Sequence, residues 1–291
     1  MIPEPFEYHR PDSLAEAVAL LANYGADGKI LAGGHSLIPL MKLRLAAPKH
    51  LIDVGHIAGL DTIREEGGKI VIGALATHHQ LESSDLVKSA CPLLSETAGE
   101  IGDVQVRNKG TIGGSLAHSD PAADWTATIL ALDAEIKAVS RTGERSIAAK
   151  NFFLDLLTTA LKEDEILTEI RVPSLPANSG EAYLKVHHPA SGFAVVGVAV
   201  RVSMDGNGTC RDLAVGITGV AVTPFRARKV EAALKGRRLD SGKVREAAQG
   251  AVDGVELESD LYASDDYRAH LARVYTRRAI ERAAARATGK R

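Results

Sequence analysis

Apolar positions along the chain change their period several times, and each change marks an element. Leu14, Val18 and Leu21 recur at helical spacing, and Ser13 followed by Glu16 has the form of a capping box, so an amphipathic helix is expected over 13–21. A short strand, Lys29 to Ala32, then runs into Gly33-Gly34. A helical or irregular stretch follows over Leu37 to Leu45, and then a strand over Leu51 to Val54. This gives a β-α-β-like lobe over residues 1–55. A second α/β lobe over 56–175 is expected from strands at 69–73, 134–139 and 166–172. Its helices are expected at 77–81, 92–101 and 121–132, with the pair Gly113-Gly114 just ahead of the last.

Pro173 to Gly180, with two prolines, two serines and a glycine, reads as a linker. Beyond it the pattern becomes strand after strand: 181–186, 193–204 and 213–220. The turn signal Asp205-Gly206-Asn207-Gly208 argues for antiparallel pairing of the last two. Helices are expected at 225–234, 243–252 and 265–286, and the Ala/Arg-rich tail from Arg277 reads as helical with a solvated charged face. The expected fold class is α+β, with residues 176–291 forming a third domain. No repeat of fixed period is evident.

Composition narrows the function by exclusion. The 291 residues are 45% hydrophobic and 25% charged, with a net charge of −2. That balance gives no electrostatic case for nucleic acid or for a membrane surface. No apolar run is long enough to span a bilayer, and Met1-Ile2-Pro3-Glu4-Pro5 lacks the basic and apolar regions of a signal peptide, so a cytoplasmic location is expected. The two cysteines, Cys91 and Cys210, are too few for an iron–sulfur cluster and read as buried thiols. His78-His79 and His187-His188 are adjacent pairs whose side chains diverge, so no metal site is expected. No side chain is assigned a catalytic acid, base or nucleophile role.

The candidate chemistry lies in two glycine segments. One is Leu31-Ala32-Gly33-Gly34-His35-Ser36-Leu37-Ile38. The other is Thr111-Ile112-Gly113-Gly114-Ser115. Paired glycines let successive backbone N–H groups turn toward one point and let a ligand approach closely, and the neighbouring hydroxyls add donors. Two such nests could grip the two phosphates of a dinucleotide. Neither is a Walker motif or a Gly-x-Gly-x-x-Gly fingerprint, and spacing alone does not distinguish FAD from another phosphate ligand.

Longer stretches carry a resemblance. Ala32 to Ala46, Val106 to Asp124 and the opening Phe6-Glu7-Tyr8-His9-Arg10-Pro11 are similar to the FAD-binding medium subunit of molybdenum hydroxylases. That family includes xanthine dehydrogenase and aerobic carbon monoxide dehydrogenase. The resemblance implies the fold of vanillyl-alcohol oxidase (PCMH-type) flavoproteins: two α/β subdomains with FAD between them, then a C-terminal α+β domain. It implies that Leu31, Ala32, Gly33, Gly34, His35, Ser36, Leu37 and Ile38, with Thr111, Ile112, Gly113, Gly114 and Ser115, wrap the FAD pyrophosphate. A side chain added at Gly34 or Gly113 is then expected to displace the cofactor with little loss of fold.

By the same resemblance Asp124 meets a polar part of the cofactor, Ile101 and Leu167 are apolar contacts, and Lys185 lies at a further contact position. Read without the family, Asp124 is a helix-start carboxylate, Ile101 and Leu167 are core, and Lys185 is surface. Phe193 falls where some relatives, the carbon monoxide dehydrogenases among them, place a tyrosine over one flavin face. Phenylalanine keeps the stacking surface and loses the hydroxyl. Ala117-His118-Ser119-Asp120-Pro121-Ala122-Ala123 also departs from that subgroup and looks like the wider family. The resemblance further implies a small partner subunit carrying 2Fe–2S clusters and a large molybdopterin subunit, arranged as a dimer of heterotrimers. Any membrane association would come through that complex. A self-contained flavin oxidase of the same superfold is the competing reading, and such enzymes usually carry a larger substrate-capping domain.

Overall fold

A computed structural model describes residues 2–289. Met1 of the N-terminal reading and Lys290 and Arg291 of the tail lie outside the described residues. Each of three sheets belongs to one stretch of chain. The first holds β1 (Glu7–His9), β2 (Gly28–Leu31) and β3 (His50–Asp53) in the order β1-β3-β2, all parallel. Helix α1 (Leu14–Tyr24) covers it with Ala17, Val18 and Leu21. Its start is capped by Ser13 as expected, but the reciprocal half of the capping box shifts by one residue to Asp12. The Ser13 side chain accepts from Glu16 N at 3.2 Å, and the Glu16 carboxylate accepts from Asp12 N at 2.9 Å. Helix α2 (Leu37–Lys42) follows the first glycine pair.

The second sheet runs β4-β5-β10-β6-β7 and is antiparallel throughout: β4 (Ile63–Glu66), β5 (Lys69–Gly73), β6 (Glu135–Ser140), β7 (Gly143–Ala148) and β10 (Ile166–Pro173). Between β5 and β6 lie six helices: α3 (His78–Ser83), α4 (Asp85–Ala90), α5 (Pro92–Gly99), α6 (Val104–Arg107), α7 (Ile112–His118) and α8 (Asp124–Ala131). A small hairpin, β8 (Phe153–Asp155) with β9 (Thr158–Thr159), closes one side. The main core forms here around Trp125, Phe152, Leu93, Leu94 and Ile129, all with no exposed surface.

The third sheet is β11 (Ser179–His187), β12 (Ala194–Met204), β13 (Cys210–Thr218) and β14 (Phe225–Arg226), in that order and antiparallel. Ala194 to Val200 of β12 are all buried and apolar, and only its end, with Arg201 and Ser203 half-buried, alternates. The reason is that both faces are covered: α8 and α5 on one side, and α11 (Asp265–Ala287) on the other. Helices α9 (Arg228–Leu234) and α10 (Ser241–Ala248) complete that core.

Three local expectations change. The helix expected from Phe225 begins only at Arg228, because Phe225 and Arg226 pair with Ile217 and Gly216 as a strand. The linker shortens to 174–178, and its start is tied down by Ser174 N to Gly68 O (3.1 Å) and Leu175 N to Ala90 O (2.8 Å). Most relevant to the site, Gly113 and Gly114 lie inside the first turn of a helix. Glycine's low helix propensity hides α7 from a pattern reading.

Candidate functional site

The two glycine segments touch. A Cβ on Gly33 would overlap the Lys109 carbonyl, and one on Gly114 would lie 3.9 Å from Ala32 Cβ. Thr77, which caps α3, and Thr111, which caps α7, form a β-bridge, so two helix starts lie side by side. His78 N also donates to Gly110 O at 3.0 Å.

Within this contact the segments differ. Gly34 holds φ at +75°, the left-handed region that glycine tolerates. Through the turn it makes, the N–H groups of Gly33, Gly34, His35, Ser36 and Leu37 have no acceptor among the described residues. Neither does the Ser36 side chain cap α2. In the second segment the donors are already engaged. Ile112 N donates to Ala76 O (3.0 Å), Gly113 N to Ala74 O (2.9 Å), Gly114 N to Thr111 Oγ1 (3.1 Å) and Ser115 N to Thr111 O (3.0 Å). The second segment is therefore not a second open nest. Gly113 is buried against Ala74, whose carbonyl oxygen a Cβ would approach to 2.6 Å. Substitution there would strike the fold itself, a correction to the expectation of little loss of fold.

A separate buried polar group centres on the start of α8. Asp124 is the first residue of α8. Lys185 Nζ donates to Asp124 Oδ2 (2.9 Å) and to Glu100 O (2.8 Å), and Tyr183 Oη donates to Asp124 Oδ1 (2.5 Å). The Lys185 side chain has no exposed surface and that of Asp124 only 4%, so Lys185 is not the surface residue its type suggests. Burial pushes the Asp124 carboxyl above the usual carboxylate range, against the pull of Lys185 and Tyr183. Burial and the neighbouring carboxylate raise the Tyr183 hydroxyl further still, leaving it a protonated donor.

Ile101 follows Glu100 and is held in a turn: Arg107 donates to Ile101 O and Gly102 O at 3.2 Å each, and to Glu82 at 2.9 Å. The tip of the β11–β12 hairpin approaches this turn, since a Cβ on Gly192 would lie 3.6 Å from Gly102 Cα. Phe193 on that tip is 45% exposed. It borders an open cleft of about 310 Å³ with His188, Asp120 and Arg268. Leu167 sits instead in the main core, on β10 beside a bulge.

Four residues escape a sequence reading. His78 lies under Gly110 and accepts from the Trp125 indole N–H at 3.1 Å, which places its own proton on Nε2. Burial, helped by His35 and Arg107, lowers its pKa to about 4. Tyr183 is two residues from Lys185, so one strand face presents both; that spacing was the available signal. Arg107 and Trp125 carry no comparable mark.

The sequence pattern of the FAD binding domain in molybdopterin dehydrogenase matches residues 4–175. That of the CO dehydrogenase flavoprotein C-terminal domain matches residues 181–283. This chain belongs to the FAD-binding flavoprotein family of molybdopterin dehydrogenases. It is 43% identical to the carbon monoxide dehydrogenase medium chain of Hydrogenophaga pseudoflava, over 98% of this chain and 99% of that one. It is 37% identical to the 6-hydroxypseudooxynicotine dehydrogenase complex subunit alpha of Paenarthrobacter nicotinovorans, over 99% and 97% of the two chains. In a solved structure of the Hydrogenophaga pseudoflava carbon monoxide dehydrogenase, a chain 44% identical superposes with a TM-score of 0.95, covering 98% of this chain and 99% of that chain. These relatives are oxidoreductase subunits, and so is this flavoprotein. Among its described residues no helix is long and apolar enough to cross a membrane.

Proposed function

We propose that this chain is the FAD-carrying medium subunit of a molybdenum hydroxylase, a relay with no substrate chemistry of its own. The observation that carries the reading is the run of unclaimed N–H groups from Gly33 to Leu37, packed against the start of α7. A pyrophosphate is the kind of anion such a run accepts, and the unpartnered Ser36 hydroxyl adds a donor. Leu31, Ala32, His35 and Ile38 complete the first wall. Thr111, Ile112, Gly113, Gly114 and Ser115 form the second, contributing shape and hydroxyls more than backbone donors. Asp124 and Lys185 hold the polar end, Ile101 and Phe193 the apolar one, and Leu167 backs the cleft from the core. We take 1–55, 56–175 and 176–291 as the three domains.

FAD, when bound, supplies the redox chemistry. The protein's share is to orient it, to fix the charge around it through the Asp124–Lys185 pair, and to cover it near Phe193. Electrons would enter from 2Fe–2S clusters of a small partner subunit, fed by a molybdopterin centre in a large one, and leave to an external acceptor. The two cysteines of this chain support a separate cluster carrier: both are buried, Cys91 in the second lobe and Cys210 in the third, and burial raises both thiols, Cys210 to about 11.

The test is to express the chain alone and together with an iron–sulfur and a molybdopterin subunit. Alone it is expected to purify yellow, to release its flavin on acid precipitation, and to show no flavin reduction by aldehydes, N-heterocycles or carbon monoxide. The reconstituted complex is expected to turn one of these over. Substrate-dependent flavin reduction by the lone chain, at the rate of the complex, would overturn the reading.

A further inference from the structure

A second group of chemically capable side chains lies in the first lobe, apart from the flavin cleft. Glu7 and His9 are alternate residues of β1 and so project from one face. Strand β3 lies beside β1 in parallel register, with His50 opposite Glu7. The sheet thereby brings together three side chains that the sequence separates by about forty residues. Glu7, His9 and His50 each offer a ligand atom within 4.8 Å of the others. His9 Nε2 to His50 Nδ1 is 3.2 Å, His50 Nδ1 to Glu7 Oε2 is 3.4 Å, and His9 Nε2 to Glu7 Oε2 is 3.9 Å.

Those separations suit a shared ion. Donor atoms about 2.0–2.1 Å from a tetrahedral metal stand roughly 3.3–3.4 Å from one another. Two of the three edges already have that length. The third closes by a small rotation of Glu7, whose side chain is 72% exposed and free to turn. The rings are held more firmly. Tyr24, the last residue of α1, stacks on His50 with centroids 3.7 Å apart and planes 8° from parallel, and its ring lies 5.0 Å from that of His9. Two imidazole nitrogens facing each other can share only one hydrogen bond when both rings are neutral, whereas a cation between them engages both lone pairs. Two nitrogens and one carboxylate oxygen favour zinc and its first-row neighbours over calcium or magnesium, which take oxygen ligands.

We propose that Glu7, His9 and His50 form a three-ligand site for a divalent first-row transition ion of the zinc class, with its fourth position open to solvent. Its effect would be to clip β1, only three residues long, to the central strand β3. The proposal does not depend on the flavin reading.

The flavin-loaded full chain would be stripped with EDTA and titrated with Zn²⁺ by calorimetry and with Co²⁺ by visible absorption. One equivalent per chain is expected, with the intense ligand-field bands of four-coordinate cobalt. His9→Ala and His50→Ala are each expected to weaken binding at least about tenfold, and Zn²⁺ should raise the melting temperature of the wild type but not of these variants. Absence of saturable binding, or wild-type affinity retained in both variants, would overturn the site. Should the variants misfold, wild-type crystals grown with Zn²⁺ decide it by anomalous scattering at the zinc edge. A peak among the three donor atoms supports the site, and no peak there refutes it.

Discussion

The two glycine pairs look alike in sequence and do opposite work in the fold. Around Gly33-Gly34 the chain turns through a positive φ and leaves a row of N–H groups without acceptors among the described residues. Around Gly113-Gly114 it enters a helix, spends its N–H groups on Ala74, Ala76 and Thr111, and lets α7 press against the end of β5. Gly34 makes the opening, whereas Gly33 and Gly113 each make a close backbone approach, to Lys109 and to Ala74, that fixes the walls around it. What a glycine pair does therefore depends on whether the turn around it leaves the neighbouring N–H groups without acceptors among the described residues or spends them on the fold.

The largest effect that tests this contrast is on stability. Gly113→Val should cost about 3 kcal/mol or more, since the added carbons meet the backbone of Ala74 rather than a movable side chain. Gly34→Ala should cost only about 1–2 kcal/mol for a non-glycine residue at positive φ, its Cβ meeting the mobile end of Ile38, yet it should strip the flavin. Urea unfolding paired with flavin content per chain measures both. A Gly113→Val chain as stable as wild type would end the contrast.

Next comes a pH effect beneath the second segment. His78 is held neutral, with a pKa near 4 in place of 6.5, because burial, with the help of His35 and Arg107, opposes a second ring proton. Between those values the unfolded chain binds the proton and the folded chain does not. The stabilisation is thus whole above pH 6.5 and is lost as pH falls toward 4, by at most roughly 3 kcal/mol. His78→Gln should flatten that part of the stability-versus-pH curve. Identical slopes in variant and wild type would show that His78 is not the titrating group.

The smallest effect separates the hydroxyls. Ser36→Ala and Ser115→Ala each remove one donor, worth about 0.5–1.5 kcal/mol, so FAD affinity should weaken by up to about tenfold. Melting temperature should hold, because neither side chain caps or bonds the fold among the described residues. Fluorescence titration of the deflavinated chain reads this directly, and unchanged affinity in both variants would remove the hydroxyls from the site.

Much of this molecule was written in its local pattern. The helix over 14–24, the strands over 50–53, 69–73 and 166–173, the antiparallel run after the linker and the long last helix all follow from periodicity and caps, which depend on near neighbours alone. The long motifs around both glycine pairs pointed to the family and the cofactor. Other features arose only on folding. Helix α7 forms despite two glycines because tertiary contacts with Ala74 and Ala76 hold its first turn. Lys185 is buried because Asp124 and the Glu100 carbonyl meet it from distant parts of the chain, repaying a desolvation that no local pattern foretells. His9 and His50 become neighbours through a strand pairing, and His78 becomes neutral through burial and accepts a hydrogen bond from Trp125. Periodicity reports which face a residue occupies; charge state and partnership are set by what the rest of the chain places opposite that face.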